Sequence, residues 1–65
     1  MKTFTARSSF IEEISYDEDR QILTVTVKGR QYTYYRVPAS VVEDFVNAPS
    51  QGRYYGAYIK NGDYS

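Results

Sequence analysis

The side chains best equipped for chemistry in this sequence are aromatic hydroxyls and cations. Eight tyrosines occur in 65 residues, and three stand together in the run Tyr32-Thr33-Tyr34-Tyr35-Arg36-Val37-Pro38. Lys28, Arg30 and Arg36 surround that run without an acid among them. A tyrosine ring either fills a core or stacks on a flat ligand. Rings beside cations are also how single-stranded nucleic acids are held, with the base against the ring and the phosphate against the charge. Which rings face solvent therefore decides what the run can do.

Catalysis has little to work with. Histidine and cysteine are both absent, which removes disulfides, zinc-finger ligand sets, thiol nucleophiles and the usual acid–base group at neutral pH. Asp17 and Asp19 are close, but they read as turn formers. No phosphate-cradling glycine loop or metal-ligand spacing occurs. A non-enzymatic chain with no cofactor and no metal is expected. Eight basic and eight acidic residues cancel, so there is no global field of the kind that marks a typical nucleic-acid binder. The charges are unevenly spread, because Glu12, Glu13, Asp17, Glu18 and Asp19 crowd one stretch. No apolar run reaches membrane-spanning length, and Met1-Lys2-Thr3-Phe4 lacks a signal-peptide core. A soluble, cytoplasmic protein is the expectation.

The elements that must position the tyrosines follow from periodicity. A chain this short is one domain, burying only about 60% of the surface its unfolded form exposes. Residues 1–9 read as an N-terminal arm that docks loosely or adds a short edge strand, and residues 10–65 as the domain proper. In Phe10 to Tyr16, Ile14 and Tyr16 alternate while Ile11 falls out of phase. A bulge at Glu12-Glu13 returns Ile11 to the buried face. Gln21 to Val27 is the clearest strand, with Leu23, Val25 and Val27 on one side and Thr24 and Thr26 on the other.

Lys28-Gly29 reads as a two-residue hairpin turn. It pairs Val27 with Arg30, Val25 with Tyr32 and Leu23 with Tyr34, so Tyr32 and Tyr34 join the apolar face as core rings. Thr33 and Tyr35 fall on the opposite face. A four-residue loop at Asp17 to Arg20 aligns Ile14 with Leu23. Pro38 suits the start of a helix, whose stripe is Val41, Val42, Phe45 and Val46. Pro49 ends it, Ser50 caps a second short helix, and Tyr54, Tyr55, Tyr58 and Ile59 repeat the stripe. Asn61-Gly62 is a natural stop before the tail Asp63-Tyr64-Ser65. The expected fold is α+β: a three-stranded antiparallel β-meander with two short C-terminal helices packed on one face.

This order of motifs resembles the KTSC domain, a small module at the C-terminus of some lysyl-tRNA synthetases and also a stand-alone bacterial and phage protein. The resemblance rests on Ser8-Ser9, Ile14-Ser15-Tyr16-Asp17, the Tyr-x-Tyr of Tyr32 to Tyr34, and Val37-Pro38. It continues through Ala48 and Ser50 to Gly52, Arg53, Tyr54, Tyr55 and Ile59-Lys60. The sequence departs from the pattern at Pro49, at Gly56 where the family has asparagine, and at Tyr64, one position late. The resemblance implies a small binding module and, through attachment to a synthetase, RNA as a partner.

Tyr35 is then the ligand-facing ring, with Arg36, Arg53 and Lys60 as candidate phosphate partners. The resulting expectation is a module that binds RNA or single-stranded nucleic acid. The alternative is a protein-interaction or self-associating module, of phage type and acting on a host partner, that pairs through an exposed strand edge.

Overall fold

The computed structural model describes residues 1–60. Four antiparallel strands run β1 (Lys2–Phe4), β2 (Ile11–Asp17), β3 (Ile22–Val27) and β4 (Arg30–Tyr34), and they lie side by side in that order. The expected count of three is therefore corrected to four. The additional strand comes from the 1–9 segment, where Phe4 falls opposite Ile14 and turns inward as an apolar anchor. Helix α1 (Ala39–Asn47) and a short helix α2 (Gln51–Tyr54) follow. α2 runs directly into a wider, π-helical segment, Tyr55–Ile59. The expected stop at Asn61-Gly62 and the tail after it lie outside the described residues.

The hairpin sets the register of the aromatic strand. Lys28 and Gly29 both take positive φ, 51° and 82°, as a type I′ turn demands. Val27 then pairs with Arg30, Val25 with Tyr32 and Leu23 with Tyr34, as the sequence predicts. The bulge between Ile11 and Glu13 also appears as expected. The β2–β3 loop differs by one residue. Asp17 pairs with Ile22 inside the ladder, so the loop is residues 18–21, and Ile14 faces Val25 instead of Leu23. Asp17 accepts the amide of Arg20 at 3.3 Å, and Gln21 closes the loop at φ 56°. The partner moves by two positions, so every side chain keeps its face.

One face of the sheet meets the helices. Ile14, Tyr16, Leu23 and Val25 pack against Val42 and Phe45 of α1 and against Tyr55 and Ile59, all of them buried. Each large apolar side chain contributes about 1.5–3 kcal/mol by leaving water. The other face stays open and polar, with Thr3, Ser15, Thr24 and Thr33 in one row across all four strands. Ala48, extended ahead of Pro49 at φ −63° and ψ 143°, ends α1. Ser50 caps α2 by accepting the amide of Arg53 at 3.4 Å.

Gln51 ties the chain's first residues to this helical layer. Only 3% exposed, its carboxamide oxygen accepts the Arg7 amide at 2.6 Å. Its nitrogen donates to the carbonyls of Thr5 at 3.3 Å and Val46 at 3.0 Å. The Arg7 guanidinium adds bonds to the carbonyls of Val46 and Ala48 at 2.7 and 3.1 Å. A buried amide satisfied on both sides fixes one geometry for the segment it holds.

Candidate functional site

β4 is an edge strand, and that decides the state of its tyrosines. Tyr34, one residue from the strand's end, reaches inward, and its hydroxyl lies 2.6 Å from that of Tyr55. Their rings meet edge to face at 6.0 Å. Burial first, then the Tyr34 hydroxyl bond, pushes the Tyr55 phenol well above its ordinary pKa, so it stays protonated. Tyr32 is on the same side, yet among the described residues nothing continues the sheet beyond it, and it stays 41% exposed. The expectation of two core rings holds for Tyr34 and is corrected for Tyr32.

Between this rim and the π-helical segment lies a cleft of about 690 Å³ whose charged neighbours are Lys28 and Lys60. The hairpin carries Lys28 there, and its amide donates to the carbonyl of Phe10 at 3.3 Å. Tyr32 supplies an exposed ring, the Tyr34–Tyr55 hydroxyl pair a polar back wall, and Val27 and Phe10 an apolar flank. Among the described residues no acid lines the cleft. Among the described residues one ion pair forms, Lys2 to Glu18 at 3.2 Å on the far rim. The arrangement suits a flat ring carrying negative charge.

Of the residues singled out from sequence, Lys60 borders this cleft. Arg53 borders an adjoining hollow of about 440 Å³, with Ser8, Ser9 and Ser50. Gly52 lines both spaces and permits their common wall, since a Cβ there would stand 2.5 Å from the Phe10 ring. Tyr35 is 48% exposed in a bend past the end of β4. Arg36 follows it at φ 58°, turning the chain so that the Val37 amide meets the carbonyl of Gln21 at 2.9 Å. Neither Tyr35 nor Arg36 borders the cleft or the Arg53 hollow.

Sequence reasoning missed Tyr32 and Lys28, although the two-residue turn that places both at the outer end of a last strand was legible. Tyr58 is a further correction. It was expected in the helix stripe and is 62% exposed. The i→i+5 closure from the Lys60 amide to the Tyr55 carbonyl, 2.7 Å, turns the chain less per residue. Tyr58 is left outside, 4.8 Å from the ring of Tyr54. Among the described residues no group of metal-ligating side chains converges, and no helix is long and apolar enough to cross a membrane.

Comparison with known proteins places this architecture. The chain is similar to lysine–tRNA ligase from Nostoc punctiforme, 43% identical over 53 residues, which is 80% of this chain and 9% of that protein. The ligase of Trichormus variabilis matches to the same extent, so the chain spans under a tenth of these curated relatives. An uncharacterized protein from Stutzerimonas stutzeri is 35% identical over 65 residues, 98% of this chain and 92% of that one. The crystal structure of a KTSC domain protein from Yersinia pestis superposes with a TM-score of 0.87 at 29% identity, covering 98% of this chain and 90% of that chain. The family's sequence profile matches residues 7–64, and the chain belongs to the KTSC domain family.

Proposed function

We propose that this chain is a non-enzymatic, cytoplasmic binding module for single-stranded nucleic acid, RNA in the first place. The observation that carries the reading is the half-exposed ring of Tyr32 in a cleft bordered by Lys28 and Lys60 and, among the described residues, by no acid. A base stacked on such a ring contributes roughly 1–3 kcal/mol, and the lysines neutralise its phosphates. Arg53, in the adjoining hollow, and the exposed Tyr35 and Arg36 extend the surface on which a strand can run. Similarity to part of a lysine–tRNA ligase, a protein that acts on an RNA, supports RNA over DNA.

The test is a titration of isotope-labelled protein with octauridylate at low salt. Amides of Lys28, Tyr32 and Lys60 are expected to shift, and Tyr32→Ala to weaken binding by about 5- to 150-fold. Affinity should fall steeply as salt rises. Absence of any shift at low salt would sink the reading.

A second reading, self-association, is favoured by the edge of β4, which no strand covers among the described residues. Its residues Arg30, Tyr32 and Tyr34 turn their backbone groups to β3, so Gln31 and Thr33 turn theirs outward. A second copy can pair Gln31 with Thr33 and bring the two Tyr32 rings together. Sedimentation at rising concentration separates the readings, because such a dimer covers Tyr32 and resists salt.

A further inference from the structure

Ser9, Phe10 and Gly52 border both the Tyr32 cleft and the Arg53 hollow, so the two spaces are contiguous across one thin wall. Their linings differ in kind. The cleft offers rings, while the hollow offers hydroxyls from Ser8, Ser9 and Ser50 and the guanidinium of Arg53. Arg53 is exposed on α2 and, among the described residues, pairs with no carboxylate. The Arg7 guanidinium also borders the hollow. It is held by the carbonyls of Val46 and Ala48, which position it without cancelling its charge. Among the described residues no acid lines the hollow either. Hydroxyls and guanidinium N–H groups around an acid-free space are the donors that a phosphate oxyanion requires.

We propose that this hollow is a phosphate subsite of the same ligand, with Arg53 as its cation. The inference rests on the base-stacking reading of the cleft and deepens it. The bound species spans more than one nucleotide, with a base on Tyr32 and a neighbouring phosphate at Arg53, Ser8 and Ser9. A free nucleoside occupies half of the site.

Three probes test it: uridine, inorganic phosphate and octauridylate. Uridine is expected to shift amides around Tyr32 alone, phosphate those of Ser8, Ser9 and Arg53, and the octamer both sets. Arg53→Gln should weaken the octamer about tenfold, the loss of one charge-assisted contact, and lower its salt slope by about 0.7. Shifts caused by uridine should be unchanged in that variant, and Arg53→Lys should retain most of the affinity. If the octamer moves Tyr32 while Ser8, Ser9 and Arg53 stay still and Arg53→Gln binds normally, the subsite falls and the stacking reading survives. If the octamer moves neither set, both fall together.

Discussion

At the β1 rim, α1 stands over the sheet and leaves a hollow of about 380 Å³, whose charged neighbours are Lys2, Glu18 and Glu43. At the β4 rim, the π-helical segment leaves the larger Tyr32 cleft, whose charged neighbours are Lys28 and Lys60. Each space is backed by a buried tyrosine. Tyr16 donates to the Val37 carbonyl at 2.6 Å, and Tyr55 shares a bond with Tyr34. The rims differ in where charge is spent, since Lys2 already pairs with Glu18. Three strand spacings put the rims about 14 Å apart, beyond the ~8 Å screening length of physiological salt. The acids of one rim therefore do not cancel the lysines of the other, and a chain of zero net charge still has a cleft whose charged neighbours, among the described residues, are both basic.

Both rims rest on one shared centre. Phe45 is fully buried and stacks on Tyr54 at 6.0 Å and beside Tyr55 at 6.2 Å. Phe45→Ala should cost about 3–5 kcal/mol in urea unfolding, with amide protection at both rims lost together. Protection surviving at β1 alone would mean that the rims are separate units.

The two backing tyrosines sharpen the contrast. Tyr16→Phe strands the buried Val37 carbonyl and should cost about 1–3 kcal/mol. Tyr55→Phe leaves only the half-buried Tyr34 hydroxyl and should cost about 1 kcal/mol. Equal losses by thermal unfolding would show that the β4 cleft is as dry as the core behind β1.

The smallest effect is in pH. Burial raises the pKa of both phenols. At Tyr16 the nearby Glu18 and Asp17 add to it, and at Tyr55 the Tyr34 bond does. A folded-state pKa above the unfolded value makes this contribution complete below pH ~10 and lost as pH rises beyond it. Stability should be level, as far as these phenols set it, from pH 7 to about 9 and fall above about 10, less steeply in Tyr55→Phe. A decline with the same slope in that variant would remove Tyr55 from the explanation.

How far the sequence reaches can be seen at particular residues. The Lys28-Gly29 turn, the Glu12-Glu13 bulge and the Ser50 cap are local chemistry, and each appears where its residues predict it. β1 is three residues long, too short for alternation to announce it. The exposure of Tyr32 was hidden because face and edge are different properties: register fixes the face, while the edge depends on which strand comes last. The widening at Tyr55–Ile59 was illegible because α and π turns draw on the same residue preferences. Within the site, Lys60 and Arg53 were legible as candidate phosphate partners, but the exposed ring bordering the cleft with Lys60 is Tyr32.

The Gln51 carboxamide has a consequence for where this domain can be cut. A version trimmed to the 7–64 stretch matched by the family profile deletes β1 and the Thr5 carbonyl. One hydrogen of a deeply enclosed amide then lacks an acceptor, and β2 becomes the outermost strand, with Ile14, Ser15 and Tyr16 stripped of their β1 partners. Such a fragment trades a three-residue edge strand bearing Lys2 for one of seven residues, and a longer bare edge recruits neighbours more readily.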